Sequence, residues 1–236
     1  MPSCHSTNDV MHELLQSDRS IEEGLLVITN NQTAGRGQRG NVWESEANKN
    51  ITCSILFKPS FLSLTSLFDL NIIVSLSIVS TLKMFHNNQN IKIKWPNDIF
   101  INNNKIGGIL IENTLKGSTI QNSIIGIGLN INQEIFNTSI ATSLKSLTGI
   151  DFDLSDIIKL LIEKLESCYL RLKSGERESL WNLYQQNLYR LHEMHKFSLN
   201  GFDVYGEIMG ISNSGKLIMK IDNEIKNFGF KEIIFT

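Results

Sequence analysis

The residues best suited to chemistry in this chain stand in one short run: Gly35-Arg36-Gly37-Gln38-Arg39-Gly40, followed by Trp43. Three glycines let the backbone come close to a ligand, and two arginines supply charge suited to a phosphate or a carboxylate. The spacing also reads as G-x-G-x-x-G, the pattern of a dinucleotide-binding turn. Its context argues against that use. A strand-like run, Gly24 to Thr29, does precede it, but the residues after it, Asn41 to Asn50, are polar and carry no helical apolar stripe. The next ordered element, Ile51 to Phe57, reads as another strand, and no acidic residue stands about twenty positions past the last glycine to hold a ribose. The run is a basic, glycine-hinged loop between two strands, suited to folding over an anionic ligand. Lys105 follows the turn signal Asn102-Asn103-Asn104 and precedes Gly107-Gly108, where a backbone can again approach a ligand closely; taken by itself it reads as an ordinary solvated turn residue.

The elements that must position these residues can be read from periodicity. Ser6 or Thr7 can cap a helix with Val10, Met11, Leu14 and Leu15 on its apolar face. Strands are expected over Leu25–Thr29 and Thr52–Phe57, and a long helix over Leu67–Phe85. Ile91, Ile93 and Trp95 alternate with lysines, as in a half-exposed strand. Asp98–Ile101 and Ile106–Glu112 form a hairpin about the three asparagines, and Ser123–Leu129 is a further strand. Ser155 can cap a helix bearing Ile158, Leu161, Ile162, Leu165, Tyr169 and Leu172, and another helix runs from about Glu176 to Leu188. After Leu191 the chain breaks into short alternating segments, with a turn at Asn213-Ser214-Gly215. Residues 1–190 are therefore expected to be one domain and 191–236 a small all-β one.

Composition narrows the classes. A net charge of −2 over 236 residues gives no bulk electrostatic reason to expect nucleic acid or an anionic membrane as partner. Cys4, Cys53 and Cys168 are isolated, which suits a reducing compartment, and no secretory leader opens the chain; a cytoplasmic protein is expected. The apolar stretch Leu67–Met84 carries Asp69, Asn71 and several serines and reads as a buried helix, not a membrane span. His192 and His195 lack a third partner for a metal, so no metal site is expected there, and Asn87-Asn88-Gln89-Asn90 reads as a linker.

Taken in order, the chain carries Ser6-Thr7-Asn8; Gln32-x-x-Gly35-Arg36-Gly37-x-x-Gly40-x-x-Trp43; Lys94-Trp95-Pro96-Asn97-Asp98; Lys105-x-x-Gly108-Ile109-Leu110-x-Glu112; and Gly126-x-Gly128-x-Asn130. This ordered set resembles the biotin protein ligases. The resemblance covers essentially the whole chain, and each motif alone would be weak. It implies an α+β fold in which a mixed sheet packs on helices, like class II aminoacyl-tRNA synthetases, followed by a small SH3-like barrel. It also implies activation of biotin by ATP, with Mg²⁺, to biotinyl-5′-AMP, and transfer to a lysine of a biotin carboxyl carrier protein domain. The expected molecule is a monomer or homodimer.

The resemblance assigns roles by position. Ser6, Thr7, Asn8 and Gln32 would hold the biotin head, although Ser6-Thr7 can cap a helix at the same time. Gly35, Arg36, Gly37, Gln38 and Arg39 would wrap the carboxylate and phosphate, Trp43 would stack on the ligand or sit in the core, and Gly107-Gly108 would adjoin biotin. Lys105 would bridge the two anions as the catalytic cation, with Arg36 and Arg39. Lys94, Asn97, Asp98 and Asn130 would serve the adenylate. Asp98 orients basic groups, helps place Mg²⁺, or caps a strand end. Two departures stand out: Gln38 occupies a position where the family often has a second arginine, and His5 stands where an acidic residue is usual. A lipoate or octanoate transferase of the same superfamily is the enzymatic rival, disfavoured by the arginine-bearing loop and K-W-P-N-D. A DNA-binding repressor is disfavoured because Ser6-Thr7-Asn8 is reached at once. A biotin-binding protein without ligase activity is disfavoured by Lys105 and the loop.

Overall fold

The computed structural model describes residues 1–236 except Arg19, Asn87, Asn88 and Gln89, and the side chain of Arg39. The linker expected at Asn87–Asn90 thus lies, but for Asn90, outside the described residues. In chain order the elements are α1 (Thr7–Ser17), β1 (Leu26–Thr29), β2 (Ile51–Phe57), α2 (Phe68–Phe85), β3 (Ile91–Lys94), β4 (Asp98–Ile101), β5 (Asn104–Lys116) and β6 (Thr119–Leu129). Then come α3 (Leu144–Thr148), α4 (Leu154–Lys173), α5 (Arg177–Gln186), β7 (Met194–Leu199), β8 (Phe202–Ile211), β9 (Leu217–Ile221), β10 (Glu224–Phe228) and β11 (Ile233–Phe235).

Six strands form one sheet in the order β1-β2-β6-β5-β4-β3, and five form a second in the order β10-β9-β8-β7-β11. The class is α+β as expected, and every strand ladder in it is antiparallel. Parallel pairing is confined to isolated bridges such as Ile93 with Leu188, so the large sheet is mixed only at that level. β5 and β6 are one long hairpin turning at Gly117, well past the Glu112 limit that the apolar pattern suggests. The outer part of that hairpin is exposed, so no alternation marks it.

One face of the large sheet rests on α2, α4 and α5. Ile51, Cys53, Ile55 and Phe57 of β2 and Ile125, Ile127 and Leu129 of β6 face this layer and are buried in one core. α2 lies in the stretch whose length and apolarity would also suit a membrane span, yet 13 of its 18 residues are buried inside the fold. Two of its buried hydroxyls are satisfied within the helix: Ser77 donates to the Ile73 carbonyl and Thr81 to the Ser77 carbonyl, whereas Ser75 Oγ is buried without a partner among the described residues. α4 is capped by Asp153, which accepts from the Ser155 amide and hydroxyl; Ser155, expected as the cap, is its donor instead. The buried stripe of α4 runs through Ile157, Leu161, Leu165, Tyr169 and Leu172, one position earlier at its start than the expected Ile158.

The opposite face of the sheet carries a smaller cluster, Met11 of α1 on Val27, Leu56 and Ile124. This packing seats the start of α1 on the sheet. Ser6 flanks that start without a side-chain capping bond, so the hydroxyl is not used as a cap.

Asp69, in the first turn of α2, is buried at 1% exposure and accepts from Arg177 Nε at 2.7 Å and Trp181 Nε1 at 2.8 Å. A buried carboxylate without its cation costs more than a buried amide with one bond lost. Arg177→Met should therefore lower unfolding stability by about 2 kcal/mol and Asp69→Asn by about 1 kcal/mol. Urea titration checks the order, and equal or reversed losses would show that Arg177 does not serve the carboxylate charge.

Candidate active site

The α1 face of the sheet is built by strand parity. Residues opposite one another are Thr52, Gly128 and Gly108; then Ser54, Gly126 and Leu110; then Leu56, Ile124 and Glu112. Three glycines here leave a floor with almost no side chains. A Cβ on Gly126 would lie 2.5 Å from Asn8 Oδ1, and one on Gly128 would run into the Trp43 indole. One on Gly108 would sit 3.3 Å from the same indole and 3.6 Å from Lys105 Nζ. The absence of those carbons is what lets α1 and the basic loop come down on the sheet.

The basic loop is a small hairpin in its own right. The Trp43 amide donates to the Gly35 carbonyl, Arg36 bridges Val42, and the Gly37 amide donates to the Asn41 carbonyl at 2.7 Å. Gln38–Gly40 closes the tip as a single 3₁₀ turn, with Gly40 at φ +86° where a side chain would be strained.

Between floor, loop and α1 lies a cavity of about 230 Å³. Its head end is a hydrogen-bonded chain. Thr7 donates its amide to Gln32 Oε1 at 2.9 Å, and Ser54 Oγ lies 2.7 Å from Thr7 Oγ1 and 2.5 Å from Asn8 Oδ1. Asn8 Nδ2 donates to Glu112 Oε2 at 2.7 Å. Ser6, Thr7 and Asn8 are all nearly fully buried.

The other end is ionic. Lys105 Nζ is 2.6 Å from Asp98 Oδ1 and 5.6 Å from the centre of the Trp43 ring. Its backbone is fixed on both sides, by donation to the Ile140 carbonyl and acceptance from the Thr142 amide. Arg36 sits between Asp9 at 2.8 Å and Glu112 at 2.9 Å. The Trp43 Nε1 hydrogen is buried with no partner among the described residues.

Most of the residues singled out by sequence line this one cavity: Ser6, Thr7, Asn8 and Gln32; Arg36, Gly37, Gln38 and Trp43; Asn97, Asp98, Lys105 and Gly108. Gly35 borders a shallower depression on the outer side of the loop. Gly107 faces the core, where a Cβ would lie 2.6 Å from Leu129. Asn130 also lies off the cavity: its Nδ2 donates to the Thr142 carbonyl, while its Oδ1 is buried without a partner among the described residues. Lys94 is held 4.6 Å from the Phe100 ring centre and 5.0 Å from that of Phe235, and does not line the cavity. Burial lowers its pKa below the ordinary lysine value, against a smaller opposing pull from Asp98. The Arg39 side chain lies outside the described residues.

Sequence reasoning missed four contributors. Ser54 and Glu112 sit inside strands, where alternation could have placed them on the glycine face. Phe230 and Lys231 reach the cavity from the second sheet, with Lys231 at φ +67°, and no local pattern marks them.

A pocket with a polar end, two paired cations and a glycine floor, on an antiparallel sheet backed by helices, has the chemistry to take a small anionic ligand. Comparison with known proteins places it. Residues 1–130 match the Biotin/lipoate A/B protein ligase family, and the chain belongs to that family. It is 32% identical over 229 residues to the bifunctional ligase/repressor BirA of Bacillus subtilis, covering 94% of this chain and 68% of that protein. It is 25% identical to the biotin–[acetyl-CoA-carboxylase] ligase of Paracoccus denitrificans, covering 91% of each. Its fold matches the biotin protein ligase of Aquifex aeolicus, solved in complex with biotin and ATP. The TM-score there is 0.81, with 24% identity and coverage of 99% and 95%.

Because the space above Gly128 is taken by Trp43, Gly128→Ala should push the indole off the floor. Tryptophan emission should shift to the red, since Trp95 and Trp181 remain buried. An unchanged spectrum would mean that the indole does not rest there.

Proposed function

We propose that this cavity activates biotin with ATP to biotinyl-5′-AMP and hands the biotinyl group to a lysine of a carrier domain. The chain is a biotin protein ligase. The observation that carries this reading is the convergence of five separated stretches on one cavity: Ser6–Asn8, Gln32–Trp43, Pro96–Asp98, Lys105–Leu110 and Gly126–Gly128.

The chemistry sets what those groups have to do. A carboxylate attacks the α-phosphate, pyrophosphate leaves, and both reactants are anions. Their approach needs cations placed in advance and water kept out. Thr7, Asn8 and Gln32 supply donors and acceptors for a ureido head at the enclosed end. Arg36 and Lys105 stand toward the mouth, where the carboxylate and α-phosphate would meet. Both are held on protein carboxylates, so each is already aimed. A ligand's anion can take over a partner that Asp98 or Asp9 now provides. Trp43, with its unpartnered N–H, has reason to leave the floor once a ligand offers a better arrangement, and the loop would then close over the adenylate.

Mg²⁺ is expected to enter with ATP. Asp98 is the one carboxylate among the described cavity-lining residues. Magnesium is commonly held by one or two carboxylates together with substrate phosphates, so Asp98 is the residue that would hold it. When bound, the ion neutralises charge on the phosphates. The acceptor is a biotin carboxyl carrier domain, and the site is assigned to the cytoplasm on the strength of its ATP-dependent chemistry and isolated cysteines. Gln38 lines the cavity and offers an amide where a second arginine would have added a cation.

The defining experiment is incubation with ATP, Mg²⁺ and either biotin or lipoate, with mass spectrometry of the nucleotide product. Biotinyl-AMP from the first mixture alone is expected; lipoyl-AMP in its place would overturn the assignment. Within that reaction Lys105→Ala should melt close to wild type, because its backbone bonds survive. Biotin-dependent exchange of pyrophosphate into ATP should fall by on the order of a hundredfold. Retention of more than about a third of the exchange rate would move the bridging role away from Lys105.

A further inference from the structure

We propose that Glu112 is a positioning residue, whose carboxylate locks the biotin-head asparagine and the loop arginine to each other; this rests on the roles given above to Asn8 and Arg36. Three side chains converge on one oxygen of Glu112, Oε2: Asn8 Nδ2 donates to it at 2.7 Å and Arg36 at 2.9 Å, and His12 Nε2 lies 3.4 Å away. Two come from consecutive turns of α1 and one from the basic loop.

The arrangement leaves Asn8 a single orientation. Its Oδ1 takes the Ser54 hydroxyl at 2.5 Å and lies directly over Gly126, which turns the Nδ2 end toward Glu112. Asn8 is only 2% exposed, so water offers no substitute acceptor for that end. The chain of contacts then closes on itself. Gln32 binds Thr7, Thr7 meets Ser54, Ser54 binds Asn8, Asn8 binds Glu112, and Glu112 binds Arg36, four residues on from Gln32 in the same loop. The loop is thereby tied to the start of α1 at two points, and Ser54 and Glu112 are the two ties that belong to the rigid sheet.

Asp9 also pairs with Arg36, at 2.8 Å, but it lies on α1, and among the described residues its side chain shares no hydrogen bond with Thr7, Asn8 or Gln32. It can neutralise the guanidinium without fixing it relative to biotin. Glu112 does both, from the middle of β5 opposite Ile124 of β6. A misplacement of a reacting group by about 1 Å can cost on the order of a hundredfold in rate. Loss of Glu112 should then weaken biotin binding through Asn8 and slow adenylate formation through Arg36 together, although Glu112 touches neither reactant.

The test measures biotin KM and kcat of pyrophosphate exchange for wild type, Glu112→Ala, Glu112→Gln, Glu112→Asp, Arg36→Ala and the Glu112→Ala/Arg36→Ala pair, with thermal melting of each. Glu112→Ala is expected to raise KM for biotin and lower kcat, each roughly tenfold or more. Glu112→Gln keeps an oxygen acceptor at the same reach and should return to within a few-fold of wild type. Glu112→Asp keeps the charge but withdraws the oxygen, and should behave like Glu112→Ala. The paired variant should be no slower in kcat than Arg36→Ala alone, because Glu112 acts on that step through Arg36. Wild-type kinetics in Glu112→Ala, an Asp variant better than the Gln variant, or multiplicative losses in the pair would each overturn the proposal. If Glu112→Ala fails to fold, the order of Gln and Asp decides alone. A wild-type enzyme that makes no adenylate would instead overturn the reading of the site itself.

Discussion

A strip of sheet surface without side chains governs the whole arrangement. Gly108 faces Gly128 across the β5–β6 ladder, and Gly126 follows one step along on the same face. Glycine weakens a strand, both through the freedom it loses and through the packing it lacks. The ladder is held from its other side, where Ile109, Ile125, Ile127 and Leu129 are buried against the helices. That one-sided support lets the working face stay bare. Asn8 and Trp43 then approach the backbone as no helix or loop could above ordinary side chains. Contacts at the head end depend on this approach, since Ser54 can reach Asn8 only with Gly126 beside it.

Charge at the site follows a second constraint. A pocket for two anions must hold cations, yet free cations in a half-buried cleft would be costly and indiscriminate. Here Arg36 of the basic loop and Lys105 at the start of β5 each have an acid within 3 Å: Lys105 has Asp98, and Arg36 has Asp9 and Glu112. The carboxylates offset desolvation and fix geometry before any ligand arrives. Lys94 adds to the field without entering the cavity. It sits opposite Asp98 in the β3–β4 pair, its charge held between aromatic rings. A second cation acting on the same aspartate makes Asp98 less able to neutralise Lys105 completely, which leaves positive potential at the mouth.

Much of this was legible in the sequence, and the limits have physical causes. Motif order located the cavity, because the glycine loop, the lysine after a tight turn and the paired glycines of β6 are each weak signals alone and become informative only in their sequence order. Periodicity located α1, α2, α4 and α5 to within a residue or two. It could not show that Ser6 is buried at the cavity rather than spent on a cap, since both uses require the same residue at the start of α1. Nor could it orient Lys94. The alternation of β3 reads as half exposed, but β11, more than a hundred residues later, supplies Phe235 to cover that face. Short α3 escaped notice because its five residues carry too little pattern, although Ser143 caps it by accepting from the Ser146 amide.

The second sheet shows why a small β unit at the far end of the chain bears on the site at all. The K-W-P-N-D stretch has two faces. Asn97 and Asp98 line the cavity, whereas Trp95 is buried on the other side and donates its indole N–H to the Gly215 carbonyl at 2.9 Å. The Trp95 ring lies 5.3 Å from that of Phe230, and Gly215 lacks the Cβ that would collide with Phe68. One tryptophan therefore clamps the turn before β9 and the segment before β11 to the strand end that bears Asp98. Residues of both sheets are buried in the same core, so a shift of the second sheet cannot leave that strand end untouched. Phe230 and Lys231 are carried to the cavity by this clamp, which makes the segment between β10 and β11 part of its wall.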